Sequence, residues 1–157
     1  LEISTFEPRK AIEDIVGRYR SLAKLKKITI STNVLAELPL IETDPFLFER
    51  IFINLITNAI DHTMENGQII LRVGTRNNEF QFEIQDNGRG IPKELLDKIF
   101  DKFSQGREGV PKTGSGLGLT FCKMAVEALN GRIGVESESG KGTTFFFSLP
   151  LKRPQPH

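Results

Sequence analysis

Asp44-Pro45-Phe46-Leu47-Phe48-Glu49-Arg50-Ile51-Phe52-Ile53-Asn54-Leu55-Ile56-Thr57-Asn58-Ala59-Ile60-Asp61 opens with an acceptor cap and a proline in the first turn, then repeats apolar residues at helical spacing. Phe48, Ile51, Phe52, Leu55, Ile56 and Ala59 form one face, and Ile53 and Ile60 carry the apolar character further round. At about 100° per residue, Arg50, Asn54, Asn58 and Asp61 share one narrow polar stripe. The pattern predicts a mostly buried helix, running to about Thr63, with a single polar seam. Asparagine is a poor mid-helix residue because its amide competes for backbone hydrogen bonds. Two of them one turn apart are either a solvated strip at the surface or a lining for a polar ligand or hydrated cation.

Upstream of this helix, Pro8 opens an amphipathic helix through Ile12, Ile15, Val16, Tyr19, Leu22 and Ala23, and Ile28 to Val34 alternates as a strand. Downstream, strands near Gln68–Arg76 and Phe80–Asp86 flank a turn at Asn77-Asn78. Pro92 then starts a helix with Leu95, Leu96, Ile99, Phe100 and Phe103 inward. A glycine-rich loop covers Ser104 to Gly118, and a helix from Leu119 to Leu129 stops at Asn130-Gly131. Strands Arg132–Glu138 and Thr143–Leu149 close the chain around Gly140-Lys141-Gly142, before a Pro-rich tail from Lys152 to His157 that is expected to fray. Helices alternating with antiparallel hairpins imply an α+β fold, a two-layer sandwich with helices on one face of a mixed sheet. A doubly wound parallel sheet needs more crossover helices than this chain supplies.

Period two places Asp86 on the same face as Phe80, Phe82 and Ile84, so an apolar strand face ends in a carboxylate. It reads either as an Asx turn residue in Asp86-Asn87-Gly88 or as an acceptor at the floor of a pocket, with Gly88 and Gly90 letting backbone approach a flat ligand. Gly114-Ser115-Gly116-Leu117-Gly118 lies directly ahead of a helix, where exposed amides and the helix N-terminus suit phosphate; a flexible linker is the plain alternative. It lacks the strand that a dinucleotide fingerprint requires, and the Gly-Lys-Ser/Thr of a P-loop. Gly140-Lys141-Gly142-Thr143 taken alone is a hairpin turn.

Composition narrows the field. With 157 residues, the chain fits one domain. Twenty-one Lys and Arg against 20 Asp and Glu give a net charge of +1, which supplies no reason to expect nucleic acid or an anionic membrane as partner. Twelve Phe with one Tyr and no Trp point to aromatic core packing rather than a base-stacking surface. The one cysteine, Cys122, sits in an apolar helical stretch and reads as a small core residue in a chain suited to a reducing compartment. No apolar run approaches the roughly 20 residues of a membrane span, and no signal peptide is visible. A start at Leu1 without Met reads as an excised piece of a longer chain.

Taken in order, Asn54–Ala59, Asp86–Ile91, Ile99–Phe103, Gly114–Leu119 and Gly140–Thr143 resemble the asparagine box, first glycine box, phenylalanine box, second glycine box and third glycine box of the ATP-binding domain of sensor histidine kinases. The resemblance runs from about Phe6 to Leu149. It implies the Bergerat fold over residues 1–151, with residues 152–157 as a disordered tail, and it implies ATP and Mg²⁺ as cofactors. By that resemblance Asn58 is the metal residue, with Asn54 beside it. Asp86 accepts from adenine's exocyclic amine, Thr143 helps fix the base through water, and His62 packs on it. Gly88, Gly90 and Ile91 shape the base pocket. Gly114, Ser115, Gly116, Leu117, Gly118 and Leu119 face the phosphates, with Phe100 and Phe103 anchoring a lid over them. Many family members carry Lys where this chain has Asp61, so Lys112 or Arg107 is expected to supply the basic phosphate contact, and Arg50 to approach the γ-phosphate. Neither His62 nor His157 lies in the family's phosphoacceptor motif. The expected partners are therefore a separate helical dimerisation domain bearing that histidine and a downstream response regulator. The isolated domain is expected to be monomeric and cytoplasmic, alone or as part of a membrane-bound sensor. Its upstream Glu49 is turned from the seam, which argues against the rapid hydrolysis of gyrase-like and chaperone ATPases.

Overall fold

The computed structural model describes residues 1–101 and 118–152. The element order is β1 (Ser4–Phe6), α1 (Pro8–Leu25), β2 (Thr29–Val34), β3 (Ile41–Thr43), α2 (Pro45–His62), β4 (Gln68–Arg76), β5 (Glu79–Asp86), α3 (Lys93–Leu96), α4 (Gly118–Ala128), β6 (Arg132–Glu138) and β7 (Gly142–Pro150). The five-stranded sheet has the order β2-β4-β5-β7-β6. Only β2 and β4 run parallel; the other three neighbouring pairs are antiparallel. The α+β sandwich expected from the sequence is thus the observed architecture.

Phenylalanine joins the two layers. Phe52 of α2 meets Phe82 of β5 and Phe147 of β7 at ring-centroid distances of 5.2 and 5.3 Å, edge-on. Phe82 and Phe147 stack at 4.6 Å across neighbouring strands. Edge-to-face and offset rings add to the area they bury. Cys122 of α4 is fully buried in the same core; burial pushes its thiol up to about 12, so it is an inert packing residue. Asn77 and Asn78 both adopt positive φ, the geometry of a type I′ turn, which sets the β4–β5 register. Asn130, also at positive φ, ends α4. No helix among the described residues is long and apolar enough to cross a membrane.

Two features differ from the sequence reading. The helix expected from Pro92 is a single turn, Lys93–Leu96, followed by further turns; Leu95, Leu96, Ile99 and Phe100 are half-buried, and Phe100 sits edge-on to Phe145 at 6.1 Å. Ile99 and Phe100 pack against the core while Asp97 and Lys98 are exposed, so burial holds only part of the segment. The second feature is an additional two-stranded sheet, β1 against β3, with Phe6 opposite Ile41. Three-residue strands carry too little periodicity to be read from sequence.

Asp44 caps α2 and ties this small sheet to it. One carboxylate oxygen accepts from the amides of Phe46 and Leu47 at 3.0 and 3.1 Å, and the other accepts from Glu2 at 3.0 Å. Asp44→Ala is expected to cost about 1–2 kcal/mol, read as a lower urea midpoint at unchanged slope.

Candidate functional site

The seam on α2 is where the sequence places it. Asn54, Asn58, Asp61 and His62 are half-buried, while Arg50 is exposed, two turns from Asn58. Glu49 turns the other way, to Arg18 of α1, with N–O 2.6 Å. The first residue of α4 lies against the seam: a Cβ on Gly118 would sit 3.3 Å from Asn54 Oδ1. The first described residue of α4 therefore faces Asn54. Unsatisfied amides and the positive end of the helix dipole make such a place favourable for anions.

Asp86 closes β5 and is only 4% exposed. Its Oδ1 accepts from the Gly88 amide at 2.8 Å, and the Thr143 amide also donates to the carboxylate. Burial raises its pKa to about 6, against the opposing pull of those two amides and the Arg89 guanidinium. The group thus stays largely ionised at neutral pH at some cost to the fold, which is how a functional acceptor is commonly held.

The turn after Asp86 is clamped from both sides. The Arg89 amide donates to His62 O at 3.3 Å, and the Gly140 amide to Arg89 O at 2.7 Å. A Cβ on Gly88 would lie 2.0 Å from His62 O, and one on Gly90, at φ +73°, 2.1 Å from Glu138 O. Protein backbone thus occupies the place of a side chain at both positions, a reason for glycine that is independent of any ligand. Leu119 is half-buried in the first turn of α4.

Two participants escaped the sequence reading. Arg89 donates from Nη2 to His62 Nδ1 at 3.1 Å, and to Asp61 O at 3.4 Å, fastening the first glycine box to the end of α2. Ser137 of β6 accepts from the Ile91 amide at 2.8 Å and contacts Thr143 Oγ1 at 2.8 Å. The period-two pattern showed Ser137 only as a polar residue in a half-buried strand; nothing local marked its partners. Phe103, Arg107, Lys112, Gly114, Ser115, Gly116 and Leu117 lie outside the described residues. Asp86, Gly88, His62, Gly90, Ile91 and Thr143 are brought together, and Asn54 meets Gly118; Arg50 lies exposed on the same stripe of α2, one turn before Asn54.

The sequence profile of the Histidine kinase-, DNA gyrase B-, and HSP90-like ATPase family matches residues 43–153. The chain belongs to this family. Among its curated relatives is the alginate biosynthesis sensor protein KinB of Pseudomonas aeruginosa, 32% identical over 96% of this chain and 25% of that protein. The adaptive-response sensory kinase SasA of Synechococcus elongatus is 35% identical over 94% of this chain and 38% of its own length. The chain thus spans a quarter to two-fifths of these ATPase-family sensor kinases. The catalytic domain of histidine kinase ThkA superposes with a TM-score of 0.87 at 27% identity, covering 98% of both chains. ThkA is also known in complex with the response regulator protein TrrA (TM-score 0.82, 25% identity, 99% of this chain and 44% of that one). Full-length ShkA in complex with AMPPNP gives 0.85 at 26% identity over 99% of this chain and 32% of that one. The fold and the family are those of a histidine kinase catalytic domain.

Proposed function

We propose that this domain binds Mg-ATP and transfers the γ-phosphate to a histidine on a separate helical dimerisation domain, within a two-component pathway whose next member is a response regulator. The observation that carries the reading is Asp86, a buried carboxylate on an apolar strand face, raised in pKa yet kept ionised by two amides and an arginine. Such a group suits an amine donor, and adenine's exocyclic amine is one. Asp86 takes the amine, Thr143 and His62 flank the base, and the phosphates extend toward Asn54, Asn58 and the α4 N-terminus at Gly118 and Leu119. Arg50, exposed at the head of the seam, is the residue nearest in sequence to supply charge there. AMPPNP on ShkA and TrrA on ThkA support the same ligand and the same kind of partner for this chain.

The residues fit a metal that arrives with the nucleotide. No group of three or more His, Cys, Asp or Glu capable of holding a metal occurs among the described residues, whereas Asn58 offers a neutral oxygen beside Asn54. Mg²⁺ prefers oxygen, keeps several waters and commonly binds through phosphates. When bound, it neutralises charge on the phosphates; the chain's own part is to position them. Glu49 pairs with Arg18 away from the seam, which argues against the hydrolase reading.

Calorimetry tests the binding half. ATP with Mg²⁺ is expected to bind, GTP far more weakly, and Mg²⁺ alone not measurably. Equal affinity for ATP and GTP, or tight Mg²⁺ binding without nucleotide, would overturn the assignment.

A further inference from the structure

Ser137 has a single hydroxyl hydrogen and two lone pairs. In the structure all three are assigned. The backbone amide of Ile91 can only donate, so Ser137 Oγ accepts from it at 2.8 Å. The carbonyl of Gly142 can only accept, so the Ser137 hydrogen goes to Gly142 O at 2.9 Å. The third contact, to Thr143 Oγ1 at 2.8 Å, then leaves Ser137 no hydrogen to give. Thr143 must be the donor. Ser137 and Thr143 are also directly opposed in the β6–β7 register, which holds the pair in place. Thr143 in turn is opposite Asp86 in the β5–β7 register.

We propose that Ser137 is a positioning residue that fixes the Thr143 hydroxyl as an acceptor toward the base and so helps select adenine. With its hydrogen committed to Ser137, Thr143 offers the pocket only lone pairs. Asp86 also offers only acceptors there when ionised. A water between Thr143 and the base therefore donates one hydrogen to Thr143 and has its other free for an acceptor on the base. Adenine presents an acceptor at N1 and an amine at C6. A 6-oxopurine presents the reverse, an N1 hydrogen and a carbonyl, and meets a mismatched water as well as Asp86. The inference rests on the nucleotide reading above and adds a determinant that touches neither ATP nor metal.

The test compares ATP with inosine triphosphate, which changes only the C6 and N1 pattern, by calorimetry on the same chain in the presence of Mg²⁺. Wild type is expected to prefer ATP. Ser137→Ala frees the Thr143 hydrogen and is expected to shrink the ATP-to-ITP affinity ratio roughly three- to tenfold, the worth of one neutral hydrogen bond. Ser137→Thr keeps the hydroxyl and a strand-compatible side chain, and is expected to restore the ratio. Thr143→Val leaves the Ile91 anchor intact and is expected to match Ser137→Ala, with the double variant showing no further loss. A merely structural serine would lower both affinities together and leave the ratio alone, which overturns the proposal. If Ser137→Ala does not fold, an unchanged ratio in Thr143→Val, or a collapsed ratio in a folded Ser137→Thr, overturns it equally. Failure of wild type to bind ATP removes the nucleotide reading and this inference together; ATP binding with an unmoved ratio removes this inference alone.

Discussion

Replacing Asp86 by Ala is expected to weaken ATP about ten- to hundredfold while leaving GTP little changed, so that base preference collapses. The carboxylate is the charged acceptor for the amine, and a hydrogen bond to a charged group is worth about 1.5–3 kcal/mol. GTP places a carbonyl at the same position and gains nothing from Asp86, hence the asymmetry. The same group carries a second, opposite signature in the unliganded protein. Its folded-state pKa, about 6, stands above the ordinary 3.8, so folding favours the protonated form. Its contribution to stability is whole below about pH 4 and is lost as pH rises through 6, levelling once both folded and unfolded states are ionised. The rise from 3.8 to about 6 corresponds to about 3 kcal/mol. Between pH 4 and 7, Asp86→Asn is therefore expected to gain on wild type by up to about 3 kcal/mol in urea unfolding, whatever the two proteins' absolute stabilities. Parallel pH profiles for wild type and Asp86→Asn would show that burial of the carboxylate does not strain the fold. Unchanged ATP affinity in Asp86→Ala would remove the group from the base site. The two results together separate a functional acceptor, held at a cost to stability, from an ordinary turn residue.

The legible parts of this protein were those in which one periodicity served one purpose. The α2 helix repeats its apolar face from Phe48 to Ile60, and the β5 strand buries alternate residues from Phe80 to Asp86, so the odd residues in each pattern, Asn54, Asn58 and Asp86, stood out as soon as the period was known. The Asn77-Asn78 turn was readable because positive φ at two consecutive residues has few sequence solutions. What stayed hidden depends on contacts far apart in the chain. Ser137 reaches Ile91 across 46 positions, and Arg89 reaches His62 across 27. Neither residue departs from the pattern around it: a serine on a half-buried strand and an arginine in a turn are each satisfied by water. Gly88 and Gly90 have a reason that their spacing does not reveal, since the carbonyls of His62 and Glu138 occupy the place of a side chain. Glycine spacing announces a close approach without saying what approaches.

The largest effect is expected in phosphate transfer itself. Incubated with γ-labelled ATP, this chain alone is expected to remain unlabelled. Arg89 donates to Nδ1 of His62 at the end of α2, and no helical-hairpin acceptor motif surrounds either histidine in the sequence. Adding the helical domain of the parent kinase is expected to give label on that domain, acid-labile and base-stable as a phosphoramidate should be. Substituting its acceptor histidine should abolish it. Asn58→Ala is expected to lower the transfer rate on the order of a hundredfold or more, because the groups that position and neutralise the phosphates do their work in the transition state. Its fold should survive the change. Alanine is the better helix former, by up to about 0.7 kcal/mol, and Asn58 lies on the half-buried seam rather than in the apolar face. Asn58→Ala should thus melt no lower than wild type while transferring far more slowly, a pairing that loss of structure cannot produce. Label on the isolated chain would overturn the need for a separate acceptor domain. Proven ATP binding with no label on an intact helical domain would make this a nucleotide-gated docking module, in which the seam orders a ligand without passing on its phosphate.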